Sequence, residues 1–122
     1  MNNPIVLILS LPQSGATLLH QVLASTTNIG YISNRMSPYY SNHREGACRD
    51  KAFRDPQFFS SFKSIYGNTE GLDEPTEWSY FWHKWLDVDE DCYEAGPNMD
   101  LSGLQDALKA ISDLKASVMM YN

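Results

Sequence analysis

An apolar run that ends in a loop of small polar residues and opens directly into a helix leaves a chain few folds to choose from. Residues 4–24, PIVLILSLPQSGATLLHQVLA, are such a segment. Residues 5–9 are apolar without interruption and β-branched at the start, the signature of a strand buried on both faces of a parallel sheet. Residues 11–15 form the turn. From Ala16 the pattern becomes helical: Leu18, Leu19, Val22 and Leu23 share one arc, and Thr17, His20 and Gln21 lie off it. The backbone N–H groups of Ser14, Gly15, Ala16, Thr17 and Leu18 would then be the unpaired donors of a helix N-terminus, at the positive end of its dipole. That geometry suits an anion above the strand.

The type of anion follows from what the loop contains and lacks. A Walker-type Gly-x-x-x-x-Gly-Lys-(Ser/Thr) is absent, because no lysine follows Gly15, and so is Gly-x-Gly-x-x-Gly. Nucleoside-triphosphate kinases and hydrolases are thereby disfavoured. Pro12, Gln13, Ser14, Gly15, Ala16 and Thr17 resemble the 5′-phosphosulfate loop of the sulfotransferase family, Pro-(Arg/Lys)-Ser-Gly-Thr-Thr, with four of the six positions matching. The resemblance implies that 3′-phosphoadenosine 5′-phosphosulfate is the co-substrate. Ser14, Gly15 and Thr17, with the amides of Ala16 and Leu18, would hold its 5′-phosphate. Gln13 would stand at the basic position, which in the family stabilises charge on the bridging oxygen during transfer. An amide there donates a hydrogen bond but no charge, and charge-assisted bonds are roughly twice as strong. Loss of one preorganised transition-state contact costs about 2.7–4 kcal/mol.

The family also uses a general base on the acceptor hydroxyl, in several members a Glu just after the second strand. By spacing, that position falls near Asn34 and Arg35, neither of them a base at neutral pH. Glu77 is the leading substitute, an acid beside aromatics at the mouth end of an expected helix, and His43, in a polar loop with Arg44 and Glu45, is the next.

Further along, residues 29–33 read as a second strand, which completes a βαβ unit. Residues 55–65 read as a helix with Pro56 at its first position and Phe58, Phe59, Phe62 and Ile65 on a core face. Residues 73–86 read as another, with Pro75 at its first position, Glu74 and Glu77 in the first turn, and a core stripe of Trp78, Phe81, Trp82 and Trp85. His83 is expected opposite that stripe, in solvent. The acidic residues of 87–97 lack the glycine placement of a calcium loop. Residues 99–115 form a third helix capped by Asp100 or Ser102, and residues 117–121 a buried strand.

At 122 residues the chain is expected to be one domain, residues 1–122, and the resemblance spans about the first half of a typical sulfotransferase. The fold class expected is α/β: a P-loop-type parallel sheet flanked by helices, forming an incomplete, N-terminal sulfotransferase domain. A fragment, a truncated product or a chain that needs a partner would each fit. A net charge of −6 argues against nucleic acid and anionic membranes, although residues 35–63 carry a local run of cations that could face an anionic ligand. Cys48 and Cys92 form no metal-binding spacing, so no metal is expected. The apolar N-terminal run is shorter than a membrane span of about 20 residues, and a cytoplasmic location is expected. The functional expectation is sulfuryl transfer to a hydroxyl or amine acceptor. The alternative is a non-catalytic remnant or interaction domain that keeps the fold.

Overall fold

The computed structural model describes residues 5–11, 14–27, 29–87, 97–115 and 117–121. Its elements are β1 (Val6–Leu9), α1 (Ala16–Thr26), β2 (Gly30–Tyr31), a 3-10 turn (Asn34–Tyr39), α2 (His43–Phe53), α3 (Ser79–Leu86), α4 (Leu101–Lys115) and β3 (Ser117–Tyr121). The described strands form one parallel sheet in the order β1-β3-β2. β3, last in the chain, is therefore central: Val6 pairs with Val118 and Leu9 with Tyr121 on one side, and Tyr31 with Val118 on the other. The β1 and β2 strands of the expected βαβ unit are not neighbours.

The core is built by α2, α3, α4 and the 3-10 turn around Ile32. Met36, Ala47, Trp78, Phe81, Trp82, Leu104, Ala107 and Ile111 are buried together, and Trp78 stacks on Phe81 with ring centroids 4.5 Å apart. Three of the four aromatic residues in the expected stripe are thus core, with Trp85 packed against it. Each such fully buried ring contributes on the order of 1.5–3 kcal/mol. α4 is capped as expected, the Asp100 carboxylate accepting from the Gly103 N–H at 2.9 Å.

Several expectations are corrected. β1 is not buried on both faces: among the described residues it pairs with β3 alone, and Leu9 is 74% exposed. α1 is turned the other way from its leucine arc. Its buried residues are Ala16, His20, Gln21 and Ala24, and Leu18, Leu19 and Val22 face outward. The cause is polar, since Gln21 Nε2 donates to Glu74 Oε2 (3.3 Å) and to the Lys63 carbonyl (3.0 Å), while His20 packs edge-on against Tyr31. Val6, Leu7, Leu9, Leu11, Leu18, Leu19 and Val22 consequently form a run of exposed apolar side chains, in a stretch with no Asp, Glu, Lys or Arg before Arg35.

Residues 55–65 are not helical, and Phe59, Phe62 and Ile65 are exposed. That segment wraps instead around the Glu74 carboxylate, which accepts from the Ser60 hydroxyl (2.8 and 3.0 Å) and the Ser61 N–H (2.8 Å). The helix expected from residue 73 begins only at Ser79. Residues 74–76 run beside 32–34, with Asn34 N–H donating to the Glu74 carbonyl and Thr76 N–H to the Ile32 carbonyl, so their backbone is already used. Trp78, at φ 57° and ψ 49°, then reverses the chain into α3.

His43 lies not in a loop but at the start of α2. Asn42 caps that helix, its side chain accepting from Glu45 N–H and donating to the Glu45 carboxylate. Gly46 of α2 is held against Tyr39, where an added Cβ would sit 2.8 Å from the tyrosine Cβ.

Two consequences are measurable by urea unfolding. Gly46→Ala should destabilise by about 1–3 kcal/mol despite the higher helix propensity of alanine, because the close approach to Tyr39 leaves no room. Leu9→Ser should move stability by less than about 0.5 kcal/mol, whereas Ile111→Ala should cost about 2–5 kcal/mol.

Candidate functional site

The loop after β1 turns into α1 through Gly15, whose φ of 90° lies in the left-handed region that glycine adopts without strain. Among the described residues no side chain caps the start of α1, and a backbone bond runs from Leu19 N–H to the Gly15 carbonyl. The N–H groups of Ala16, Thr17 and Leu18 therefore have no helical acceptor. Among the described residues nothing lies within 4 Å of a Cβ built on Gly15. Ser14 spends its hydroxyl proton on the Leu11 carbonyl, at 2.6 Å, leaving oxygen lone pairs and the backbone. Gln13 lies outside the described residues.

Glu77 comes to this same end of α1. A Cβ on Gly67 would lie 3.1 Å from Glu77 Oε1 and 3.6 Å from Thr17 Oγ1, so the carboxylate and the loop threonine flank one point of backbone. Gly67 occupies that point because residues 65–68 make a tight turn. Ile65 and Asn68 exchange both backbone hydrogen bonds at 2.9 Å, and the central Tyr66 and Gly67 have φ of 50° and 80°. Glu77 is itself positioned by the strained Trp78 that follows it and by the 74–76 pairing that precedes it.

A cleft of about 170 Å³ opens beside Glu77, lined also by Ser37, Gly67, Asn68, Thr76, Trp78, Ser79 and Tyr80. A larger polar cleft, of about 340 Å³, lies at the other end of α1 between Thr27, Gly30, Arg54 and Phe58. Carbonyls, not N–H groups, end the helix there, so it lacks the donor set of the loop.

The other candidates are placed elsewhere. His43 packs edge-on against Phe81 and Trp85, each ring centroid 6.4 Å away, in the layer between α2 and α3. Burial, then the charges of Lys84 and Arg44, hold its imidazole below the ordinary 6.5. Asn34 staples residues 69–71 through its side-chain amide, and Arg35 pairs with Asp73 at 2.6 Å and with the buried Asp50 at 3.5 Å. Of the cations in residues 35–63, Arg49 pairs with Glu45 and Arg54 lies 4.3 Å over the Tyr31 ring. These three arginines stabilise structure and do not line the loop. Among the described residues no group of three His, Cys, Asp or Glu side chains is placed to hold a metal ion, and no helix is long and apolar enough to cross a membrane.

The cleft residues Ser37, Asn68, Thr76, Ser79 and Tyr80 were not foreseen from sequence. The one available signal was the Gly67-Asn68 pair, a turn dipeptide that would have marked a reversal where a helix was ending. Comparison with known protein families, characterised proteins and solved structures finds no match to the chain.

Two outcomes test this placement. The unfolded chain takes up a proton at His43 before the folded one as pH falls, so the stability due to its neutral form is complete above 6.5 and declines below it. Urea midpoints should therefore fall on acidification through that value, and His43→Phe should remove that part of the slope. Glu74→Ala should cost about 2–3 kcal/mol or more, because it strands the buried donors of Ser60, Ser61 and Gln21.

Proposed function

We propose that the chain is the donor-binding part of a sulfotransferase-type P-loop domain of α/β class. In this reading the backbone of Gly15, Ala16, Thr17 and Leu18, with the Thr17 hydroxyl, binds the 5′-phosphosulfate of 3′-phosphoadenosine 5′-phosphosulfate. The observation that carries the reading is the meeting of Thr17 and Glu77 across Gly67. An uncapped helix end supports anion binding, and a carboxylate beside it supports proton removal from an acceptor.

When bound, the phosphosulfate supplies an electrophilic sulfuryl group. Glu77 accepts the proton that an acceptor hydroxyl or amine loses as it bonds to sulfur and the bond from sulfur to the phosphate oxygen breaks. Gln13 donates a neutral hydrogen bond at the position where the family carries a cation, which makes transfer slow relative to an enzyme with arginine or lysine there. His43, held in the aromatic layer, has no part in this chemistry.

A non-catalytic interaction domain is the second reading, favoured by the exposed apolar side chains of β1 and α1. Titration with adenosine 3′,5′-bisphosphate separates the two. Donor binding predicts saturable affinity that falls at least about tenfold in Thr17→Val and rises in Gln13→Arg. No binding at millimolar ligand would leave only the interaction domain. If turnover is detected, Glu77→Gln should lower it by about 100-fold or more while the bisphosphate affinity does not fall.

A further inference from the structure

We propose that the cleft beside Glu77 binds a small neutral polyhydroxyl molecule, of the size of a single six-membered polyol or sugar ring. Its volume of about 170 Å³ equals that of roughly five or six waters and falls below the range of about 300–1,000 Å³ usual for larger ligands. The lining decides the chemistry. Ser37, Thr76, Ser79 and Tyr80 bring hydroxyls and Asn68 a carboxamide, groups that each donate and accept. The Thr76 hydroxyl accepts from the Trp78 N–H at 3.4 Å and keeps its own proton to give. A ligand that answers such a set must also donate and accept at every position, which is what adjacent hydroxyls do.

Charge argues against anionic ligands. Among the described residues no Lys or Arg lines the cleft and Glu77 is its carboxyl, so the cleft itself offers no cation to a carboxylated or phosphorylated ligand. An ammonium would engage Glu77 and the acceptor oxygens alone and leave the amide and hydroxyl protons of the wall without an acceptor, so it is the competitor that the test includes. Tyr80 adds an aromatic flank: it is 63% exposed, and its ring is braced by Tyr40, 5.4 Å away, and edge-on by His83. Such a face accepts the C–H side of a ring whose hydroxyls point to the opposite wall. The walls are also set in advance, because the Tyr66-Gly67 turn and Trp78 hold left-handed backbone on both sides of the opening.

The cleft's affinity for a polyol stands on its lining alone. That the bound hydroxyl is the sulfuryl acceptor rests on the function proposed above, through Glu77. The test is saturation-transfer NMR on the full chain with myo-inositol, repeated in the presence of putrescine as a competing diammonium. Saturable transfer with a dissociation constant on the order of 1–10 mM is expected, as for a small ligand with few contacts. Asn68→Ala and Tyr80→Ala change exposed side chains, and circular dichroism should confirm that both variants fold. Each should weaken inositol binding at least about fivefold.

Absence of transfer at about 50 mM inositol, affinity unchanged in both variants, or displacement by equimolar putrescine would each overturn the proposal. A parallel titration with adenosine 3′,5′-bisphosphate keeps the two readings apart. Inositol binding without bisphosphate binding retains the cleft and removes its role as acceptor site. Bisphosphate binding without inositol binding retains the donor loop and overturns the polyol site.

Discussion

One buried carboxylate organises this structure. Glu74 is 4% exposed and is held by Ser60, Ser61 and Gln21, three neutral donors from two distant parts of the chain. Its backbone carbonyl takes the Asn34 N–H as well. Burying a carboxyl group is costly unless its oxygens are satisfied, so Glu74 ties segments 59–63 and 74–76 and helix α1 together. Once Glu74 is committed, Thr76 pairs with Ile32, and Glu77 is delivered three residues on to the end of α1 that carries Thr17.

The same clamp explains the orientation of α1. A helix with four leucine or valine residues on one arc ordinarily buries that arc, but here the polar Gln21 is drawn inward by Glu74 and Lys63, and His20 by Tyr31. The apolar arc is left facing out beside a β1 strand that, among the described residues, is paired on one edge. The aromatic core, meanwhile, gathers around α3 and α4, away from the loop. Trp78 joins the two regions, being part of the aromatic core and of the cleft beside Glu77, and it and Tyr66 put left-handed backbone next to the candidate site.

The candidate site was legible in part. Ser14, Gly15 and Thr17 could be named because a strand, a small-residue turn and a helix in direct succession leave one place for unpaired N–H groups, and local sequence carries that information. Glu77 could be named as an acid beside aromatics, but its neighbour Gly67 could not, since ten residues and a turn separate them. His43 belongs to a helix and not to a polar loop because Asn42, directly ahead of it, caps α2 together with Glu45, a pairing that polar composition alone does not reveal. The cleft walls of Ser37, Asn68, Thr76 and Ser79 are ordinary surface residue types, and nothing in their local pattern separates them from solvent-facing positions.

By itself, the sequence determined the elements whose cause is local: the β1 strand, the turn at Gly15, the opening of α1, the aromatic stripe from Trp78 to Trp85, and α4 with its Asp100 cap. Periodicity and capping act over a few residues and are written in the chain order. Only the tertiary structure decided which face of α1 is buried, why residues 55–65 and 73–78 are not helical, and which acid meets Thr17. Those outcomes turn on where the Glu74 carboxylate finds its hydrogen-bond donors, 13 to 53 residues away along the chain, and a buried charge outweighs the few tenths of a kcal/mol per residue by which local propensities differ.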